Sequence, residues 1–272
     1  MPIGIFLPSQ GRDWMSKIHP TAIIHPEAQL HESVEVGPYA IVGSKVRIGA
    51  GTKIGAHAVV EGRTTLGERN RVFHFASVGA VPQDLKYAGE DTQLMIGDDN
   101  QIREFATLHI GTRGGGGVTR VGNRNLFMAN SHVAHDCTLG NGCVLANSAA
   151  LGGHVEVGND VTFGGLSAVH QFTRIGNLAF IAGGAMVAMD VPPYCTAQGD
   201  RAELVGLNTV GLSRHGYSEE QIARIKDAYK VLFRSKLGLN EALSKLKAEY
   251  VGHSEVELFL EFIGESKRGI TR

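Results

Sequence analysis

Three histidines recur at near-equal intervals: His135, His154 and His170, separated by 19 and 16 residues, with His132 three residues before the first. Asp136 follows His135 directly. An imidazole with a reference pKa of about 6.5 can accept a proton at neutral pH. A neighbouring carboxylate can hold its other nitrogen in the required tautomer. The pair therefore suits general-base activation of a hydroxyl. A histidine column could instead bind zinc. Chance clustering among 12 histidines is the bland alternative. No serine or cysteine recommends itself as a covalent nucleophile.

The element that must carry these residues shows in the spacing of large apolar side chains. Ile18, Ile24, Leu30, Val36, Val42, Ile48, Ile54, Val60, Leu66, Val72 and Val78 fall every six residues. The count restarts at Ile96, Ile102 and Leu108, and again from Val121 through Val187. A period of six fits neither an α-helix nor an alternating strand. It fits the hexapeptide β-helix, in which a short strand and a turn repeat. The large residue (position i) points inward and i+4 supplies a second, smaller inward group. Three hexapeptides close a coil of roughly 18 residues, and coils stack ~4.8 Å apart. His135, His154 and His170 occupy neither inward position, so they are expected outside, on nearly the same face of successive coils. Cys137 and Cys143 fall at i+4 and read as core. Asn70, Asn100 and Asn125 break the small-residue rule and read as corner residues, since Asn tolerates left-handed backbone.

The spacing divides the chain. Residues 1–14 read as an N-terminal extension, with Met15 an alternative start. The β-helix is expected over 15–199, interrupted by loops at 79–95 and 109–120. The second loop holds the tetraglycine Gly114–Gly117, read as a flexible loop because no phosphate-binding fingerprint accompanies it. Pro192 and Pro193 are expected to stop the ladder. A helical domain follows over 200–272: Ser218 and Gln221 predict a capping box, and Asn240 and Ser254 are expected to cap two further helices. With 26 Lys+Arg against 27 Asp+Glu there is no basic excess for nucleic acid. No apolar run is long enough for a membrane span. Three cysteines cannot close a disulfide framework, which suggests a reducing compartment.

Several motifs then converge. They are His132-Val-Ala-His-Asp-Cys137, Gln83-Asp-Leu-Lys-Tyr-Ala-Gly89, Leu151-Gly-Gly-His-Val155, Ala168-Val-His-Gln-Phe172, Asp190-Val-Pro-Pro-Tyr194 and Ala197-Gln-Gly199. With the repeat and the helical tail, the chain resembles the UDP-N-acetylglucosamine O-acyltransferase family that begins lipid A synthesis, over about Met15 to Arg272. The resemblance implies a mainly β fold, a left-handed parallel β-helix with a small C-terminal α-helical domain. It implies a cytoplasmic homotrimer with active sites between subunits. The implied reaction moves a (3R)-hydroxyacyl group from acyl carrier protein to the 3-hydroxyl of UDP-N-acetylglucosamine, without a covalent acyl-enzyme, metal or other cofactor.

Carried over by motif, His135 is the general base, Asp136 orients it, and the Gly153 N–H stabilises the oxyanion. Gln83, Asp84, Lys86, His132, His154, His170, Gln171, Asn208 and Arg214 map to substrate-binding positions. Val210 and His215 depart from the family pattern, which has an acid and a second Arg there. Gly183 falls at the acyl-chain ruler; a glycine leaves room and favours a longer chain, although Met186 and Met189 lie nearby. Arg234, Lys236, Lys267 and Arg268 are candidates for docking the acidic carrier protein.

Rival readings differ in testable ways. The later N-acyltransferase of the pathway carries an N-terminal uridine-binding domain, for which a repeat beginning at Ile18 leaves no room. Acetyltransferases using coenzyme A tend to lack such a helical tail. The zinc-dependent γ-class carbonic anhydrases use an H-x-x-x-x-H pair, whereas the near pair here is His132-x-x-His135. A β-helix that only binds or scaffolds would be indifferent to loss of His135.

Overall fold

The computed structural model describes residues 17–272; the segment 1–14 lies outside the described residues. Among the described residues, short strands stack into three sheets of nine, eight and ten strands, each strand pairing in parallel with the one a full coil away except for the final, antiparallel pair of the ten-stranded sheet. Ile41–Val42, for example, pairs in parallel with Val59–Val60. This is the left-handed parallel β-helix. The hexapeptide register holds: Val36, Val42, Ile48, Ile54 and Val60 at i, and Val34, Ala40, Val46, Thr52 and Ala58 at i+4, are all buried. A large and a small inward group per strand fill a prism too narrow for two large ones.

The corners are turned by residues at i+3 in left-handed backbone, including Tyr39, Phe75, Asp136, His154 and Phe172 with φ of 56–64°. Bulky side chains are tolerated there because each corner is locked by ladder hydrogen bonds on both sides. Asn70, Asn100 and Asn125 are not these corner residues. The residues before them, Arg69, Asp99 and Arg124, take the positive φ. The asparagines instead point inward, fully buried. Asn100 donates through Nδ2 to Asn70 Oδ1 (3.0 Å), and Asn125 N–H donates to Asn100 Oδ1 (2.9 Å). An amide carries both donor and acceptor, so a column of them satisfies itself in the core.

Both loops are shorter than the spacing of large apolar residues predicts. Gln93–Ile96 and Val118–Val121 are strands in the eight-stranded sheet. Leu94 and Thr119 fill the inward i+4 places there. Nor do the prolines stop the ladder. Cys195–Gln198 pairs in parallel with Phe180–Ile181 and then antiparallel with Glu203–Leu207. Pro192 and Pro193 lie between strands, where no ladder N–H is required.

Four helices follow: α1 (Thr209–Arg214), α2 (Glu219–Phe233), α3 (Leu239–Glu249) and α4 (Ser254–Gly264). The Ser218–Gln221 capping box is formed in both directions. The N-caps of α3 and α4 are Gly238 and His253, so the expected caps Asn240 and Ser254 lie inside their helices, two residues and one residue past the observed caps. Asp190 ties the C-terminal segment onto the prism. Its carboxylate accepts from Arg174 N–H (2.8 Å) and Ser266 Oγ (2.7 Å), and its own N–H donates to the Gly269 carbonyl (2.9 Å). Among the described residues no helix is long and apolar enough to cross a membrane.

Candidate active site

The strand His132–Val133 runs into a corner at Ala134–Asp136. Asp136 turns it with φ 59° and donates its N–H to Thr119 Oγ1 (2.8 Å). That geometry turns the carboxylate away from solvent, with no side-chain exposure. Oδ1 accepts the Thr112 N–H at 2.8 Å. Oδ2 accepts the Thr112 hydroxyl at 2.6 Å and His135 Nδ1 at 2.8 Å. An ionised carboxylate only accepts, so His135 Nδ1 carries the proton and Nε2 presents a lone pair. This is the arrangement a general base requires.

One coil on, Gly153 lies directly against the His135 ring. A Cβ there would stand 2.6 Å from Cε1 and 2.7 Å from Nε2. Its N–H donates to no acceptor among the described residues. His154 packs edge-on to His135 with ring centroids 5.1 Å apart, and Phe172 stacks on His154 at 4.4 Å. The residue above His154 in the column is thus Phe172, not His170. His170 lies at i+1, exposed, with Nδ1 2.8 Å from Arg268 Nη2.

Burial lowers the pKa of His154, with repulsion from His135 in the same sense and the Asp136 charge opposing. Burial and the nearby His135 also lower His132, whose Nδ1 lies 2.7 Å from Thr107 Oγ1. His109 packs edge-on to His132 at 4.9 Å and is depressed to about 4, by burial first and then by its histidine neighbours. All three rings are thereby biased toward the neutral form, His109 most strongly.

The ligand atoms of His135, Asp136 and His154 lie within 4.8 Å of one another, a donor set compatible with a cation. Asp136 Oδ2 already accepts from the Thr112 hydroxyl and His135 Nδ1, so a cation bound to that oxygen would compete with the bond that sets the His135 tautomer. Cys137 and Cys143 are buried, and burial pushes each thiol up to about 12, which removes them as nucleophiles.

Two clefts meet this corner. One of about 1250 Å³ runs from Asp136 and His154 past Phe172 and Arg174 to Lys267 and Arg268. The other, about 720 Å³, joins His154 and Phe172 to Asp84, Lys86, Thr112 and Arg113.

Known proteins resemble this chain along most of its length. Residues 190–271 match the family model described as UDP-N-acetylglucosamine O-acyltransferase, domain 2, and residues 119–153 match the bacterial transferase hexapeptide model. The acyl-[acyl-carrier-protein]--UDP-N-acetylglucosamine O-acyltransferase of Myxococcus xanthus is 68% identical over 258 residues, covering 95% of this chain and all of that one. The chain belongs to the UDP-N-acetylglucosamine O-acyltransferase family.

Solved structures agree. The UDP-N-acetylglucosamine O-acyltransferase of Moraxella catarrhalis superposes with a TM-score of 0.92 at 45% identity, over 94% of this chain and 100% of that one. The UDP-N-acetylglucosamine acyltransferase of Campylobacter jejuni gives 0.89 at 41%, over 94% and 99%.

The structure distributes the residues mapped from this family unevenly. His132, His135, Asp136, Gly153 and His154 come together, and Asp84 and Lys86 reach His154 across the smaller cleft. Gln83 and Gln171 are exposed, the latter one coil beyond Gly153. Asn208 is occupied as the N-cap of α1, accepting from Gly211 N–H (2.9 Å) and donating to the Leu178 carbonyl (2.9 Å). Arg214 is exposed at the end of α1. His215, in place of the family's second Arg, has Nε2 3.5 Å from Asp160 Oδ1. Val210 is exposed. None of Asn208, Arg214 and Val210 lines either cleft of the corner. Gly183 is exposed, and a Cβ on it would meet only the Gly165 backbone, at 3.4 Å.

Of the docking candidates, Lys267 and Arg268 line the larger cleft. Arg234 instead donates to the Leu204 carbonyl and the Tyr229 hydroxyl. Thr112 and His109 carry no signal of their own in the sequence, and Gly115 shows there only as part of a tetraglycine that reads as a flexible loop. They sit where the six-residue count breaks, so periodicity could not flag them. The tetraglycine was the available signal.

Proposed function

We propose that this chain transfers a (3R)-hydroxyacyl group from acyl carrier protein to the 3-hydroxyl of UDP-N-acetylglucosamine, in the cytoplasm, as a homotrimer. The observation that carries the reading is the His135 Nδ1–Asp136 Oδ2 hydrogen bond, which leaves His135 Nε2 free to accept a proton. The sugar hydroxyl gives its proton to Nε2 as its oxygen attacks the thioester carbonyl. The Gly153 N–H donates to the oxyanion, an interaction of about 2.7–4 kcal/mol in comparable sites. Collapse breaks the C–S bond, and the departing thiolate takes the proton from the imidazolium. Atoms balance without a covalent acyl-enzyme, in keeping with cysteines that are buried and inert.

Asp84, Lys86, His132, His154, His170 and Gln171 contact the two substrates in this reading. Gln83, Asn208 and Arg214 would reach them from a neighbouring subunit or after the trimer closes. An exposed column of stacked rings supports assembly: Tyr39, His57, Phe75 and Phe105, with centroids 5.0, 5.0 and 5.4 Å apart. Exposed apolar columns of this kind mark interaction surfaces. Open space at Gly183 favours a longer acyl chain.

The test is transfer from (3R)-hydroxyacyl carrier proteins of several chain lengths, comparing wild type with His135→Ala. Loss of about 10²–10⁴-fold in kcat is expected. Activity within tenfold of wild type would remove His135 as the base. Zinc-dependent activity abolished by chelation would replace the reading with a metal mechanism.

A further inference from the structure

The tetraglycine loop is a clamp on the carboxylate behind the base. Thr112 is 5% exposed and gives both its donors to Asp136, one to each oxygen. Two glycines let the loop lie flat on that carboxylate. A Cβ on Gly115 would overlap the carboxylate itself, and one on Gly111 would stand 2.8 Å from Oδ1. The Thr112 carbonyl accepts the N–H groups of Gly115 (3.1 Å) and Gly117 (2.8 Å), which closes the turn on itself. Gly116 and Gly117, with φ of 90° and 82°, then return the chain to the strand Val118–Val121. From the other side, Glu90 Oε1 accepts the Arg113 N–H at 3.2 Å, tying this loop to the one that carries Asp84 and Lys86. A freely flexible linker would make none of these contacts.

We propose that Thr112 is a positioning residue for the acyl transfer, holding the Asp136 carboxylate aimed at His135 Nδ1. The inference rests on the reading of His135 as the base. Without the Thr112 hydroxyl, Asp136 Oδ2 keeps only His135 Nδ1, and the carboxylate loses one of the bonds that fix its aim at the imidazole. The other titratable groups facing the pair are His154, with Nε2 3.8 Å from Oδ2, Asp84 beyond it, His132 and His109 beside His135, and buried Cys137. All are retained when Thr112 alone is changed.

The experiment measures kcat and KM for UDP-N-acetylglucosamine of wild type, Thr112→Val, Thr112→Ser and His135→Ala. For Thr112→Val, kcat falls about tenfold while KM stays within about twofold. Thr112→Ser, which keeps the hydroxyl, returns kcat to within about threefold. A Val variant with wild-type kcat overturns the proposal, as does a Ser variant no better than Val. If Val does not fold, Thr112→Ala replaces it under the same criteria. Collapse of His135→Ala with an unaffected Thr112→Val sinks only this proposal. Survival of His135→Ala sinks the base reading itself.

Discussion

Asp136→Asn separates the shape of the buried carboxylate from its charge, and the hydrogen bonds around it dictate the outcome. Three donors converge on the two oxygens at 2.8, 2.6 and 2.8 Å: Thr112 N–H, Thr112 Oγ1–H and His135 Nδ1–H. An amide offers one oxygen and one NH₂. The Thr112 N–H is backbone and cannot reverse, so the amide oxygen takes the Oδ1 place. The NH₂ then occupies the Oδ2 place, opposite the Thr112 hydroxyl and His135 Nδ1. The hydroxyl can rotate to accept, and the imidazole can accept only by moving its proton to Nε2. Every hydrogen bond is thereby satisfied, so stability is kept to within about 1–2 kcal/mol. The nitrogen that must take the sugar's proton, however, is now occupied. A trapped tautomer in a comparable relay costs about 10⁴ in kcat. The expected result is a loss of about 10³–10⁴ in kcat at neutral pH, with KM for UDP-N-acetylglucosamine nearly unchanged. Steady-state transfer assays read the loss, and the ring ¹⁵N shifts of His135 read the tautomer. A variant retaining a tenth or more of wild-type kcat, or one still protonated at Nδ1, would refute the reasoning.

The two glycines at proposed functional positions should respond oppositely to alanine. Gly153→Ala sets a methyl against the His135 ring and should cost at least about 10² in kcat, whereas Gly183→Ala meets only an ordinary contact at 3.4 Å and should leave kcat intact while shifting preference toward shorter acyl donors. An unimpaired Gly153→Ala, or an unshifted Gly183→Ala chain-length profile, counts against the corresponding role. His109, depressed from 6.5 to about 4 by burial, binds its proton in the unfolded chain before it does in the folded one. Its burial is therefore without penalty above pH 6.5 and increasingly destabilising as pH falls from 6.5 toward 4. His109→Phe should show a shallower fall in Tm across that window than wild type, and parallel curves would contradict the assignment.

The legibility of this protein in its sequence follows the range of the forces involved. Burial is local and periodic. The six-residue recurrence from Ile18 to Val187 therefore marked the prism, its inward positions and the outward placement of His135 and His154 before any coordinates. The Ser218–Gln221 capping box was equally readable, because an N-cap is settled within one helical turn. The inward place of the asparagines is not legible in the sequence, because a side chain's preference for left-handed backbone says nothing of partners a coil away. Asn70 and Asn100 are 30 residues apart in sequence and adjacent in the column. The loops are narrower than the six-residue count implies because that count marks only the i positions, Ile96 and Val121, whereas the strands begin three residues earlier, at Gln93 and Val118.

At the proposed catalytic corner, sequence alone supplied the His135–Asp136 pair, two residues that are neighbours in the chain. It could not supply Thr112, which lies 24 residues from Asp136 and meets it only because an irregular loop folds back over the coil. Nor could it show that Gly115 is a glycine because a carboxylate occupies the space of its side chain. Periodic burial was determined by the sequence itself. Contacts made where the period breaks were decided by tertiary structure, since no repeat there ties one residue's position to the next.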